Sequence, residues 1–423
     1  MKEDFLHYLW QYQKFDKSGL VTVAGDPLSI SSPGFYNTDA GPDFLEGYVR
    51  IGTIDWFGQI EIHLKSSDWY RHAHEVDPAY QNVILHVVWE HDREVLNVDG
   101  RPIPTLELQH ITASVLRKSY KSLLENTGVI PCESHFAEVA AIKKLTMLER
   151  TLMQRLERKS LMVSELLTVN NQDLEETAYQ LLMGNFGFKL NNEAFLKLAK
   201  AVPFRLLKKY SNNSIQIEAL LFGMAGFLED TEDDYAQKLK KEFKFLSVKH
   251  GLTDKIMVAA EWKFMRTRPS NFPTVRLSQL AAFLGDRESI FSSLTGTDSP
   301  KLLEKYLRVE PSEYWKEHYH FGRKSGARQK GMGKSSSQNL IVNTAVPLLV
   351  AYATYLDDRD HLEKAISLLE EIPAEKNRIT EIWQSLHMEM KTMADSQGGI
   401  ELYNEFCRRK KCTACAVGVS ILG

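Results

Sequence analysis

Between Tyr36 and His91 lie Asp39, Asp43, Glu61, His63, Lys65, Asp68, His72, His74, Asp77, His86 and His91, and no other part of the chain gathers acid, imidazole and amine so densely. Converging carboxylates bind a hard divalent cation such as Mg²⁺ or Mn²⁺ and leave positions for water and phosphate oxygens. A neighbouring Lys or His can then orient or deprotonate the attacking water. The run His72-x-His74-x-x-Asp77 also suits zinc or manganese.

Such groups act only if the backbone aims them at one place. Over 60–65, Ile60, Ile62 and Leu64 fall on one side of a predicted strand, and Glu61, His63 and Lys65 fall on the other. Neighbours on that face stand about 6.5 to 7 Å apart. Upstream, Gly41-Pro42-Asp43-Phe44 sets an acid at the mouth of a second predicted strand, Tyr48 to Ile51. Gly52-Thr53 and Trp56-Phe57-Gly58 are turn-forming segments that return the chain beside it, so pairing would bring Asp43 and Glu61 together. Polar residues alternating along a half-exposed strand are ordinary, and that plainer account suffices for Glu61, His63 or Lys65 taken singly. The density of the whole cluster favours a site.

Pro42-Asp43, seventeen residues and then Glu61-Ile62-His63 resembles the motif of the PD-(D/E)XK nuclease superfamily, with His63 where the family has lysine. The resemblance implies a nuclease-like lobe in which Asp43 and Glu61 hold the metal. It leaves open whether Lys65, on the same strand face, or His63 takes the lysine's part, or whether the site is inactive. His72, His74 and Asp77 would form outer support or a second metal site.

With 423 residues the chain is long enough for two or three domains. The net charge of -3 offers no general attraction to nucleic acid, so such contacts require local basic patches. The charged, aromatic amino terminus is unlike a signal sequence, and no apolar run approaches a membrane span, so a cytoplasmic protein is expected. The pattern predicts an α/β or α+β lobe with a mixed sheet over 1–130: a helix at Lys2 to Phe15, short strands at Leu20 to Val23 and Leu28 to Ile30, a buried strand at Asn82 to Trp89 broken by His86, a last strand at Thr105 to Leu108 and a helix at Ser114 to Leu124. From 137 to about 260 the period changes to 3.6, with Asp173 as a helix N-cap, and 137–423 is expected to be a mainly α-helical lobe.

Two basic stretches in that lobe are candidates for nucleic acid. Trp262 to Arg276 interleaves aromatics with Arg266, Arg268 and Arg276, the side-chain types that grip bases and phosphates. It also suits a rigid connector whose arginines pair internally. The loop at 322–339 carries Arg328, Lys330 and Lys334 ahead of a predicted helix. Its Gly333-Lys334-Ser335 end fails as a P-loop, since Arg328 stands where the first glycine belongs and no apolar strand precedes it.

Near the carboxyl terminus Cys407, Cys412 and Cys415 follow the spacing C-x4-C-x2-C, and Cys132 is the only other cysteine. Such a cluster points to Zn²⁺ or an iron–sulfur cluster rather than a disulfide, with reduced core thiols as the plain alternative. Some PD-(D/E)XK nucleases carry an iron–sulfur staple of this broad plan, so that resemblance implies the same option. Over most of its length the chain also resembles a bacterial family of unknown function, through NTDAGPDF, EIHLKSSDWYRHAHEVDPAYQNVILHVVW, RPSNFPTVRLSQLA, NLIVNTAVPLL and DSQGGIELYNEFC. The leading expectation is metal-dependent phosphodiester hydrolysis on nucleic acid. Its rivals are a non-catalytic nucleic-acid-binding or scaffold protein that keeps the fold, and a metal-dependent hydrolase of a small substrate.

Overall fold

The computed structural model describes residues 1–229, 231–265, 267–326 and 331–423. The chain divides into two compact units, the first comprising Met1–Arg150, Glu381–Met388 and Gly399–Gly423, the second Thr151–Thr380 and Glu389–Gly398. The first unit runs past 130, and the segment carrying the last three cysteines belongs to it together with the N-terminal sheet.

The first unit opens with α1 (Glu3–Gln11), which buries Phe5, Leu6, Tyr8, Leu9 and Trp10. Six strands follow: β1 (Leu28–Ser32), β2 (Phe35–Tyr36), β3 (Phe44–Ile51), β4 (Ile54–Lys65), β5 (Val83–Glu90) and β6 (Thr105–Glu107). They form one mixed sheet in the order β1-β3-β4-β5-β6, with β2 also pairing β3. β1, β3 and β4 are antiparallel, whereas β4–β5 and β5–β6 are parallel.

Gly52, at φ +59, and Thr53 make the tight turn between β3 and β4. Trp56, Phe57 and Gly58, expected to turn, therefore lie inside β4. Leu20 to Val23 forms only an isolated bridge, Val21 with Pro27. β5 is apolar on both faces because every residue from Val83 to Val88 is buried.

A parallel partner cannot be reached by a hairpin. The connection from Ser66 to Asn82 carries the short helix α2 (Asp68–Arg71) and the turn Pro78–Tyr80. Trp69 packs there with Val83, Val95 and Ile103, flanked by Tyr70 and Tyr80. This anchors the connection that bears His72 and His74. The unit also includes α3 (Ser114–Glu125).

The second unit is mainly helical around Tyr179, Phe186, Phe195, Phe222 and Trp315. Asp173 caps the helix Leu174–Phe186 by accepting the Glu176 amide at 3.0 Å, as its position predicts. The helix Lys334–Leu356 is long and apolar enough to cross a membrane by length and composition, and 67% of its apolar window is buried inside the protein. A π-helical turn, Ile341–Ala345, interrupts it.

Candidate metal centre

The β3–β4 register pairs Phe44 with Ile60, which sets Asp43 beside Glu61. The two residues lock together through the backbone: the Asp43 amide donates to Glu61 Oε2 at 3.1 Å, and the Ile62 amide donates to Asp43 Oδ2 at 3.0 Å. Two residues along β4, His63 shares the inward face of Glu61 and is 1% exposed. The connection after β4 then delivers His72 and His74.

These side chains meet closely. His63 Nε2 lies 3.1 Å from His72 Nδ1 and 3.5 Å from Glu61 Oε1, and His74 Nε2 lies 3.4 Å from the same oxygen. Ligand nitrogens of His63, His72 and His74 all lie within 4.8 Å of one another. Donors held about 2.1 Å from one ion stand roughly 3.0 to 3.4 Å apart, for octahedral and tetrahedral angles respectively, so the observed spacings fit a shared cation. Imidazole nitrogens with one or two carboxylates suit zinc, manganese or iron better than magnesium, which favours oxygen.

Surrounding groups fix these ligands. His63 Nδ1 lies 2.9 Å from Nε2 of the fully buried His86, and His86 Nδ1 has no partner. If His63 keeps Nε2 free for a metal, its Nδ1–H donates to His86, whose own proton then sits on the unpartnered Nδ1. The ring of Tyr80 stacks on His74 at 3.7 Å. Trp69 meets His74 edge-on, with ring centres 5.4 Å apart.

The electrostatics follow from burial. Desolvation, with the Asp43 charge adding to it and the His74 contact opposing it, pushes the Glu61 carboxyl up to about 7. Burial and the neighbouring imidazoles His86, His74 and His72 hold His63 down at about 2, and burial with His74 holds His86 at about 3. Both rings are therefore neutral at pH 7, the state in which imidazole binds metals.

Two residues of α1 escaped the sequence reading. His7 Nε2 lies 3.3 Å from Asp43 Oδ2, and burial of this ring is outweighed by the Asp43 contact and the charges of Asp43, Glu3 and Glu61, so its pKa is raised. Glu3, one turn earlier, is also raised, first by burial and then by Asp43. The available signal was an acid and an imidazole at i, i+4 on a helix otherwise almost wholly buried.

The other expected residues are placed differently. Lys65 shares the strand face but lies at its exposed end, 3.5 Å from Glu90, and so does not reach the cluster as an amine partner. Asp77 is exposed and caps the Pro78–Tyr80 turn by accepting the Ala79 amide at 2.9 Å, outside the ligand set. Arg276, expected on a nucleic-acid surface, is instead 4% exposed. It donates to Gln279, Asn271 and Ser336 and lies over the Phe188 ring, because the helix Pro273–Gly285 turns it inward. Arg268 is exposed, as is Lys334 at the start of its helix. Arg266, Arg328 and Lys330 lie outside the described residues. Cys132, Cys407, Cys412 and Cys415 all fall in the first unit and none forms a disulfide.

No curated protein and no solved structure matches the chain. Residues 3–378 match the family described as "Protein of unknown function (DUF2851)", a span that includes every member of the carboxylate–imidazole cluster, and the chain belongs to that family.

Proposed function

We propose that the protein is a divalent-metal-dependent hydrolase of phosphodiester bonds in nucleic acid, with Glu61, His63, His72 and His74 as the metal-holding set and Asp43 beside them. The observation that carries this reading is the convergence of Asp43 and Glu61 with three imidazoles whose ligand nitrogens lie within 4.8 Å of one another. A bound ion would supply positive charge to the phosphoryl oxygens and make a water molecule more acidic. Mn²⁺ or Zn²⁺ suits this mixed nitrogen and oxygen set, with Mg²⁺ the weaker fit.

The chain's own groups divide the remaining work. The Asp43 backbone contact holds one oxygen of Glu61 and leaves Oε1 turned to His63 and His74. His86 holds His63 in one orientation from behind. His7, its proton retained by Asp43, is the acid for the departing alkoxide, since its raised pKa keeps it protonated nearer neutrality than an ordinary imidazole. His72 is exposed while His63 and His74 are buried, so substrate approaches from the His72 side. A second reading, hydrolysis of a smaller phosphorylated substrate, is favoured by the burial of Arg276, which removes one expected contact to a polymer.

The test is turnover of single- and double-stranded DNA, RNA and an activated aryl phosphodiester by the chelator-treated protein, resupplied with Mn²⁺, Zn²⁺ or Mg²⁺. Polymer cleavage that vanishes in Glu61→Ala and Asp43→Ala supports the nuclease reading. Cleavage of the aryl ester alone transfers support to the small-substrate reading. Metal binding without turnover of either sinks both and leaves a binding protein.

A further inference from the structure

The second chemical feature of the first unit owes nothing to the carboxylates. Cys132 ends the stretch after α3 and precedes the turn Glu133–Glu138. Cys407 closes the π-helical segment Leu402–Cys407, Cys412 opens the turn Cys412–Ala414, and Cys415 precedes the helix Ala416–Leu422. The whole second unit thus intervenes in sequence between the first thiol and the other three, yet all four lie close enough to feel one another's charge. Cys132, Cys412 and Cys415 are buried and Cys407 is partly so. Gly418 is needed for this packing, since a Cβ there would stand 2.2 Å from the Cys412 carbonyl oxygen.

Donors and cations that a metal-bound thiolate would use lie close to the four sulfurs. Backbone amides of Val417 and Gly418 donate to the Cys415 sulfur, the usual support for a metal-bound thiolate. Three cations border the group: Arg150 acts on Cys415, Lys144 on Cys132 and Lys410 on Cys412. Each is held in place. Arg150 donates to the Ala414 carbonyl at 3.2 Å, Lys410 donates to the Leu124 carbonyl, and Lys144 lies over the Phe136 ring at 4.5 Å. Four buried sulfurs with backbone amides and three cations beside them, against the opposing charge of Asp4 at Cys412, are the complement of an anionic metal–thiolate centre.

We infer that Cys132, Cys407, Cys412 and Cys415 together hold an iron–sulfur cluster that joins the carboxyl-terminal segment to the N-terminal unit. Spacing selects the cluster over a single zinc ion. Zinc bound to four sulfurs at about 2.3 Å would draw them to about 3.8 Å from one another. Among the described residues no three of these sulfurs come within 4.8 Å of each other. A multi-iron cluster, with inorganic sulfide inside its ring of thiolates, takes ligands standing farther apart.

The experiment is metal and sulfide analysis of the full chain purified without oxygen. Iron and acid-labile sulfide in equal amounts, well above one per chain, with a visible absorption band bleached by dithionite, is the expected result. The Cys412→Ser and Cys415→Ser variants should lose that iron and fall in Tm by roughly 10 °C or more. Should these variants fail to fold, the wild-type iron and sulfide content decides alone. One zinc per chain without sulfide overturns the cluster, and four titratable thiols without metal overturn any metal centre. None of these outcomes depends on hydrolytic activity.

Discussion

Glu61 and Arg276 are both ionisable, both 4 to 5% exposed, and both were marked by sequence as functional, yet they are buried in opposite ways. Glu61 faces His63 and His74 and lies beside Asp43, groups that themselves gain or lose protons. Arg276 faces the neutral amide oxygens of Gln279 and Asn271, the Ser336 hydroxyl and an aromatic ring. Fixed neutral dipoles take up the terminal nitrogens of the guanidinium, leaving only its Nε without a partner, and none of them can exchange a proton with it. Titratable partners leave proton positions contested, which is what acid–base and metal chemistry need. A buried charge therefore points to function when its partners can also change charge.

The contrast can be broken by mutation. Glu61→Ala should lower metal-dependent turnover roughly a thousandfold while leaving the cooperative thermal transition in place; a collapse of the fold with it would make Glu61 structural. His86→Leu, behind the cluster, should weaken metal binding about 10- to 100-fold, read by competition with a chromophoric chelator. Unchanged affinity would reduce His86 to a core residue. Arg276→Ala should do the reverse of Glu61→Ala, costing about 1–3 kcal/mol in urea unfolding with turnover intact.

The metal-free protein offers a sharper test through pH. Glu61 is raised from its unfolded value to about 7, so its contribution to stability is fully present below about 4.5 and is lost as pH rises through 7. His63 and His86 are depressed, so their contribution is full above about 6.5 and is lost as pH falls towards their folded values. Chelator-treated protein should thus show a stability maximum on the acid side of neutrality, and Glu61→Gln should flatten its alkaline arm. The smallest effect belongs to Lys65→Ala. Its surface contact with Glu90 is worth at most about 1 kcal/mol, and turnover should stay within about twofold.

Alternation made most of the cluster legible, because a strand with Ile60 and Ile62 inside one layer forces Glu61 and His63 into the other. The same rule misjudged Lys65, since alternation fixes a direction but not where the covering layer ends. It was silent on His7 and Glu3, whose i, i+4 spacing marks a shared helix face but not that the packing of α1 turns this face to Asp43. Trp56, Phe57 and Gly58 read as a turn because glycine and aromatics often flank one. The left-handed Gly52 had already supplied the turn, and β4 runs straight through them. Aromatic–basic interleaving over 262–276 describes composition alone, and burial of Arg276 depends on which face of the Pro273–Gly285 helix turns inward.

The parallel pairing of β4 with β5 has a consequence for the order of assembly. Asp43 and Glu61 sit on neighbouring strands of a hairpin, a local structure that closes on a timescale of microseconds. His72 and His74 belong to the connection that must loop over before β5 can dock, and non-local pairing of this kind forms slowly. A nascent chain therefore brings Asp43, Glu61 and His63 together first and acquires His72 and His74 afterwards. Under the metal-site proposal, the early hairpin would offer two carboxylates and one imidazole, and the set richer in nitrogen would be complete only once β5 has docked.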